Sequence, residues 1–127
     1  MELEALDHVG LNVADIARSI DFYAEVLGLR RAYEDAWGDY PAVLETAGAG
    51  VALFPSDAPP AALSKQGADD MGHIGFRTSR LGLQRARDEV RARSIPFHEG
   101  DYGVAWSIYF DDPDGNQIEI VTYEPPE

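Results

Sequence analysis

Short runs of alternating apolar and polar residues cover most of the chain, and two longer runs repeat an apolar residue every three or four positions. In the first half, the alternating runs predict strands over residues 6–13, 29–34, 40–46 and 50–54. A helix is predicted between the first two strands, with Asp15 as its N-cap and Gly28 as its C-terminal glycine. Its apolar residues recur at helical spacing at Ile16, Ile20, Tyr23 and Leu27. The first half is therefore predicted as a strand, a helix and three further strands.

The second half repeats this order. Strands are predicted over residues 72–78, 95–98, 104–110 and 117–123. Between the first two, the spacing of Leu83, Ala86 and Val90 predicts the buried stripe of a second helix. The sequence Asp-Pro-Asp-Gly at 112–115 is typical of a type I turn, because proline suits its second position and glycine accepts a positive φ.

Two stretches, LDHVGL at 6–11 and MGHIGF at 71–76, share the order apolar residue, any residue, histidine, aliphatic residue, glycine, apolar residue. His73 follows His8 by 65 residues, about half of the 127-residue chain. A repeat of this length indicates two copies of one supersecondary unit, each too small to bury its own hydrophobic face. We therefore predict a single domain over 1–127, with module one at 5–55, a linker at 56–70 and module two at 71–124.

Alignment of the two modules predicts four equivalent positions that face one cavity. The two histidines supply half of them, and overlaying residues 51–53 on 118–120 makes Ala52 the counterpart of Glu119. Glu119 stands between two isoleucines, and burial of a carboxylate is costly unless the carboxylate is paired. His8, His73 and Glu119 could therefore bind a divalent cation. The alternative is structural, with hydrogen-bonded strand histidines and a solvated glutamate.

Charge and composition narrow the classes of partner. Acidic residues number 23 against 10 basic ones, and the net charge of −13 argues against nucleic acid and anionic membranes as partners. The chain has no cysteine, so a metal would need nitrogen and oxygen ligands. No apolar run approaches the length of a membrane span, and residues 1–4 lack the basic start of a signal peptide. We therefore expect a cytoplasmic protein.

Four stretches together resemble one known family, and they lie at 6–9, 19–28, 72–74 and 112–119. On these motifs the chain is similar to the vicinal oxygen chelate superfamily, which includes glyoxalase I, extradiol dioxygenases and bleomycin-binding proteins. The resemblance implies an α+β fold of paired βαβββ modules that form a barrel-like cleft with a divalent metal ion between them. His8, His73 and Glu119 match the family's metal-binding positions. A small-molecule substrate and a homodimer are also implied, with Fe(II) as the favoured metal and Mn, Zn or Ni as alternatives.

Within this superfamily, the extradiol dioxygenase signature matches best, over residues 108–119. Tyr109 occupies the tyrosine position of that signature, and we expect its hydroxyl to hydrogen-bond the substrate; the alternative is a packed tyrosine. The signature also contains an upstream histidine, and His98 lies farther from Ile108 than the signature requires. His98 is therefore either a second catalytic residue or a surface residue at a strand end.

Other activities of the superfamily fit the sequence less well. Glyoxalase I enzymes usually have a carboxylate where this chain has Ala52, and bleomycin-type binders generally lack the ligand set. Trp37 and Tyr40 are predicted on the outer strands of module one, where they line the substrate cavity with Ala52 or else form core or dimer contacts. We predict an extradiol-dioxygenase-like enzyme acting on a catechol-like substrate. The alternatives are a glyoxalase-type lyase or isomerase, or a non-catalytic small-molecule-binding protein.

Overall fold

The computed structural model describes residues 1–2, 4–56 and 72–127. The chain divides into two compact units, unit 1 (Met1–Leu63) and unit 2 (Ser64–Glu127). Apart from Ser56, the predicted linker lies outside the described residues. In each unit a strand is followed by a helix and three further strands. The predicted α+β class and the βαβββ order of each module are therefore confirmed.

Unit 1 begins with β1 (His8–Val13), then α1 (Ile16–Asp21) and one turn of π-helix (Phe22–Val26). Asp15 caps α1, because its side chain accepts a hydrogen bond from the Arg18 backbone N–H at 3.0 Å. Gly28 follows the helix with φ 72°, as its predicted C-terminal position requires. The remaining elements of unit 1 are β2 (Arg30–Ala32), α2 (Glu34–Trp37), β3 (Ala42–Thr46) and β4 (Ala49–Pro55).

Unit 2 repeats the order without a second short helix. Its elements are β5 (Ile74–Arg77), α3 (Arg80–Ala92), β6 (His98–Asp101), β7 (Trp106–Asp111) and β8 (Gln117–Thr122). Ser79 caps α3 by accepting a hydrogen bond from the Gly82 backbone N–H at 3.0 Å. Of the predicted stripe, Leu83 and Val90 are buried and Ala86 is half-buried, and α3 packs on β7 and β8.

Each unit contains one four-stranded sheet with the same topology. The strand order is β1-β4-β3-β2 in unit 1 and β5-β8-β7-β6 in unit 2. In both sheets the first pair is parallel and the other two pairs are antiparallel. One face of each sheet carries the core, whose fully buried members include Val13, Leu44, Val51 and Leu53 in unit 1 and Ile108 and Ile118 in unit 2. Because strand side chains alternate, the opposite face is left for a site.

The strand predicted at 95–98 is wrong except for its last residue, because β6 runs over His98–Asp101. Ser94 adopts a left-handed conformation with φ 57°, and the Ile95 backbone N–H donates to the Val90 carbonyl at 2.9 Å. The residues after α3 therefore close the end of the helix before the strand begins.

The placement of Trp37 and Tyr40 on outer strands is also wrong. Trp37 is the last residue of α2, and Tyr40 lies in the turn before β3. The Trp37 backbone N–H donates to the Tyr33 carbonyl at 3.0 Å, and Tyr40 N–H donates to the Trp37 carbonyl at 3.2 Å. These local hydrogen bonds outcompete strand pairing, so the strand predicted at 29–34 ends at Ala32.

Candidate functional site

The strand registers of unit 2 place four positions side by side across its sheet. Glu119 of β8 lies between two neighbours in this row, Gly75 of β5 on one side and Tyr109 of β7 on the other. Tyr109 in turn lies opposite His98 of β6. Neighbours in such a row have side chains on the same face of the sheet. Strand pairing therefore brings together both predicted catalytic residues and one predicted metal ligand.

The corresponding row of unit 1 has the same register but different chemistry. Gly10 lies opposite Ala52, which lies opposite Val43, which lies opposite Ala32. Ala52 thus pairs with the glycine that follows His8 by two positions, as Glu119 pairs with the glycine that follows His73 by two. The local registers agree with the predicted equivalence of Ala52 and Glu119. Unit 1 presents a small apolar row where unit 2 presents a polar one.

Glu119 is the most heavily partnered side chain of the unit 2 row, and it is only 12% exposed. Its Oε1 lies 2.9 Å from Nε2 of His73. Its Oε2 accepts hydrogen bonds from Ser107 Oγ at 2.6 Å and from the Tyr109 hydroxyl at 3.2 Å. The carboxylate is therefore held in one orientation by three side chains.

The pairing of His73 with Glu119 fits a shared divalent cation. Ligand atoms about 2.1 Å from one ion and at right angles to each other are about 3.0 Å apart. Nε2 of His73 and Oε1 of Glu119 are 2.9 Å apart, so both can bind one ion with little rearrangement. Ser107 and Tyr109, which contact only the other carboxylate oxygen, match the hydrogen-bond donors that commonly orient metal-binding carboxylates.

Tyr109 connects the row through both its ring and its hydroxyl. The ring is only 8% exposed and is stacked on His98, with centroids 4.8 Å apart and planes 11° apart. It meets the His73 ring edge-on at 6.1 Å, and its hydroxyl lies 2.6 Å from that of Tyr102. Burial, the Tyr102 hydrogen bond and the nearby charge of Glu119 raise the pKa of Tyr109 well above its usual value. Tyr109 is therefore a neutral phenol that can donate a hydrogen bond.

His8 lies in unit 1, where its imidazole contacts the neighbouring Asp7. Its Nδ1 is 2.7 Å from Oδ2 of Asp7, and the imidazole is half exposed. A hydrogen bond from Nδ1 to a carboxylate fixes the tautomer that leaves Nε2 free to bind a metal. Sequence reasoning missed Asp7, although its position next to His8 was a usable signal.

A cavity of about 280 Å³ lies against the site face of the unit 1 sheet. His8, Asp7 and Glu45 provide the charged or polar side chains of its lining. The apolar part of the lining comes from Tyr33, Trp37, Pro41, Val43, Ala52 and Phe54. Of the predicted substrate-binding residues, Trp37 and Ala52 line the cavity, whereas Tyr40 packs edge-on against the Phe54 ring at 5.9 Å.

The predicted metal ligands are divided between the two units, with His8 in unit 1 and His73 and Glu119 in unit 2. In the part of the chain that the structure describes, no three His, Asp or Glu side chains are gathered into a metal-binding cluster. His98 is an exposed residue at a strand end, as one interpretation of the sequence proposed, yet its ring covers Tyr109. No helix among the described residues is long and apolar enough to cross a membrane.

The fold and these motifs have counterparts among known proteins. The family model of the Glyoxalase/Bleomycin resistance protein/Dioxygenase superfamily matches residues 5–120. The chain belongs to this superfamily. The resemblance expected from the sequence is thereby confirmed, and members of the Glyoxalase/Bleomycin resistance protein/Dioxygenase superfamily commonly use divalent metals and bind small-molecule substrates.

One curated relative is a catechol-2,3-dioxygenase of Bacillus subtilis, 29% identical over 125 residues and 93% of this chain. The chain spans only 42% of that relative's length. The similarity is thus confined to less than half of the larger protein.

Solved structures of the superfamily share the fold over nearly the whole chain. A glyoxalase/dioxygenase from Nostoc punctiforme has a TM-score of 0.75 and 25% identity, covering 95% of this chain and 92% of its own. A lactoylglutathione lyase from Agrobacterium tumefaciens has a TM-score of 0.70 and 20% identity, covering 95% of both chains. These similarities show the shared fold, and the activity has to be argued from the site.

Proposed function

We propose that this protein is a divalent-metal-dependent, extradiol-dioxygenase-like enzyme that acts on a catechol-like substrate. The observation that carries the proposal is the His73–Glu119 pair at 2.9 Å, whose Glu119 lies in one row with a neutral Tyr109 and His98. The catechol-2,3-dioxygenase relative, at 29% identity, supports the same reaction class.

His8, His73 and Glu119 would hold the cation. Two imidazoles and one carboxylate leave three adjacent coordination positions open, which suits Fe(II) best and also Mn, Zn or Ni. The bound cation would supply Lewis-acid and redox chemistry to a substrate with two neighbouring oxygens. Ala52 adds no further carboxylate, in accordance with a site that keeps positions open for substrate.

The side chains around the ligands have separate tasks. Asp7 orients His8, and Ser107 orients Glu119. Tyr109 holds its proton at the hydroxyl and donates it in a hydrogen bond to a substrate oxygen. His98 keeps the Tyr109 ring in place by stacking, and its imidazole is exposed for proton transfer. We expect the enzyme to be cytoplasmic, as its composition indicated, and to act as a homodimer, as the family resemblance implies.

Metal binding tests the ligand assignment without any substrate. We expect one divalent cation per chain by elemental analysis and calorimetry, and a chelator should remove it. His8→Ala, His73→Ala and Glu119→Ala should each abolish stoichiometric binding. His98→Ala is the matched control and should keep the metal. Full occupancy in the His8→Ala and Glu119→Ala variants would refute the ligand set.

Oxygen uptake tests the reaction class. Protein purified anaerobically and loaded with Fe(II) should consume oxygen with at least one member of a catechol panel and give a ring-opened product. Isomerisation of a glutathione hemithioacetal, with no oxygen uptake on any diol, would instead favour the lyase.

A further inference from the structure

The unit 1 cavity has a size that suits one small ring. Its volume is about 280 Å³. Ligand pockets in proteins usually measure about 300–1,000 Å³, whereas an apolar cavity of about 150 Å³ already admits benzene. A single aromatic ring with a short substituent therefore fills this cavity, and a bulky peptide conjugate does not fit.

Strand register places a polar group at each end of this cavity. His8 of β1 lies opposite Gly50 of β4, and Gly50 lies opposite Glu45 of β3. Three neighbouring strands span about 9.5 Å, so that His8 and Glu45 stand on either side of a gap with no side chain. Gly50 cannot be replaced easily, since a Cβ there would collide with the Leu44 carbonyl oxygen.

The charge of the lining is negative. Asp7 and Glu45 are its charged side chains, and no Lys or Arg contributes to it among the described residues. Arg30 contacts Oε1 of Glu45 at 2.9 Å, but the Arg30 side chain is 81% exposed. Such a solvated ion pair is weak, so Glu45 stays available to a ligand. The net charge of −13 adds a field that repels anions.

We propose that this cavity selects an aromatic ring whose substituent, directed at Glu45, is cationic or neutral, and that it rejects anionic substituents. His8, a metal ligand in the proposed function, lines the same cavity. The inference that the bound ring is the reacting part of the substrate therefore rests on the proposed function. The substrate class is then a catechol with a short amine-bearing or uncharged tail. Glu45 is the specificity-determining residue, and Trp37 and Phe54 provide the apolar walls.

Phenols with a single ring hydroxyl group test this selection in metal-free protein. The chain has two tryptophans, so in a Trp106→Phe background Trp37 is the single reporter of the cavity. Three probes of similar size are titrated against its fluorescence: tyramine (cationic), para-propylphenol (neutral) and para-hydroxyphenylacetate (anionic). Tyramine should bind at least as tightly as para-propylphenol and at least about tenfold more tightly than the anionic probe, a difference of about 1.4 kcal/mol.

A matched pair of variants assigns the selection to one carboxylate. Glu45→Gln should reduce the ratio of the affinities for tyramine and para-hydroxyphenylacetate by about tenfold. The affinity for para-propylphenol should not change. Glu99→Gln removes another carboxylate that pairs with an arginine, Arg87, in unit 2, and should leave all three affinities unchanged. Circular dichroism verifies the fold of both variants.

Equal affinities for the cationic and anionic probes would overturn the proposal, and so would no response of Trp37 to any probe. A cavity covered by a second copy of the chain would overturn it as well. In that case Trp37 emission will change on dilution and the probes will not bind. Because the probes lack vicinal oxygens and no metal is present, these outcomes do not depend on whether the protein binds metal or consumes oxygen.

Discussion

At the scale of single residues, Tyr109 is the side chain on which the unit 2 site depends. Its ring lies against His98, and its hydroxyl lies between Tyr102 and Glu119. The dioxygenase signature over residues 108–119 singled out Tyr109 in the sequence. Its partner Tyr102 could not be predicted, because the two hydroxyls meet only through the β6–β7 hairpin.

The raised pKa of Tyr109 makes the metal-free protein sensitive to alkali. The folded state binds this phenolic proton more tightly than the unfolded chain, so the contribution to stability is complete below pH about 10 and is lost as the pH rises through the folded pKa. Denaturant unfolding at pH about 8 to 11, with a chelator present, should show this fall. Tyr109→Phe should remove this fall in the free energy of unfolding with pH. Tyr123→Phe, at an exposed tyrosine, should keep it. If the free energy of unfolding falls equally with alkaline pH in wild type and Tyr109→Phe, the fall does not come from Tyr109.

Turnover distinguishes catalytic roles for Tyr109 and His98 from packing. If both assist the reaction, Tyr109→Phe and His98→Ala should lower kcat by about 100-fold while metal content is unchanged. The control is Tyr123→Phe, which should have the activity of the wild type. Wild-type turnover in His98→Ala would make that histidine a surface residue whose only role is to cover Tyr109.

At the scale of elements, the turn between β7 and β8 sets the position of Glu119. Asp112 is buried, and its carboxylate accepts hydrogen bonds from the Asp114 N–H at 2.9 Å, the Asn116 N–H at 2.8 Å and the Asn116 side-chain amide at 2.9 Å. Gly115 follows with φ 87°, as the predicted turn requires. The turn therefore holds β8 in register with β7.

Removing the Asp112 carboxylate leaves buried donors without acceptors. Asp112→Ala should lower the free energy of unfolding by about 2–3 kcal/mol. Asp111→Ala, at the exposed neighbouring position, should change it by no more than about 0.5 kcal/mol. Chemical denaturation of both variants measures the difference, and equal losses would mean that the turn contributes nothing specific.

The two sheets differ at Ala52 and Glu119, and this difference can be tested by substitution. Ala52→Glu should lower the melting temperature of metal-free protein, because Ala52 is buried, and should increase the stabilisation that metal provides by adding an anionic ligand. The same change should suppress oxygen uptake with catechols, since it fills an open position and cancels local positive charge. Ala52→Gln controls for size. A gain of hemithioacetal isomerisation in Ala52→Glu would favour the lyase family of reactions, and unchanged oxygen uptake would contradict the open-position argument.

At the scale of the whole molecule, one supersecondary plan carries different side-chain chemistry in each unit. Unit 1 has an apolar cavity lined by His8, and unit 2 has the polar row around Glu119. Both arise from one βαβββ plan with the same strand order. The net charge of −13 argues against nucleic acid as a partner.

Much of the architecture was determined by residues that are near one another in the sequence. The Asp15 cap, Gly28 and the 112–115 turn are local patterns, and each predicted its element correctly. Local patterns suffice there because caps, turns and alternation depend on consecutive residues.

Only the tertiary structure decided which side chains meet. Contacts between Ser107 and Glu119 and between Tyr102 and Tyr109 depend on strand register and hairpin geometry. The helix at Trp37 and the late start of β6 depend on hydrogen bonds that compete with strand pairing. Sequence alone therefore determined the fold and the candidate ligands His8, His73 and Glu119. The orientation of Glu119, the neutral state of Tyr109 and the Glu45 cavity follow from packing between residues distant in the chain.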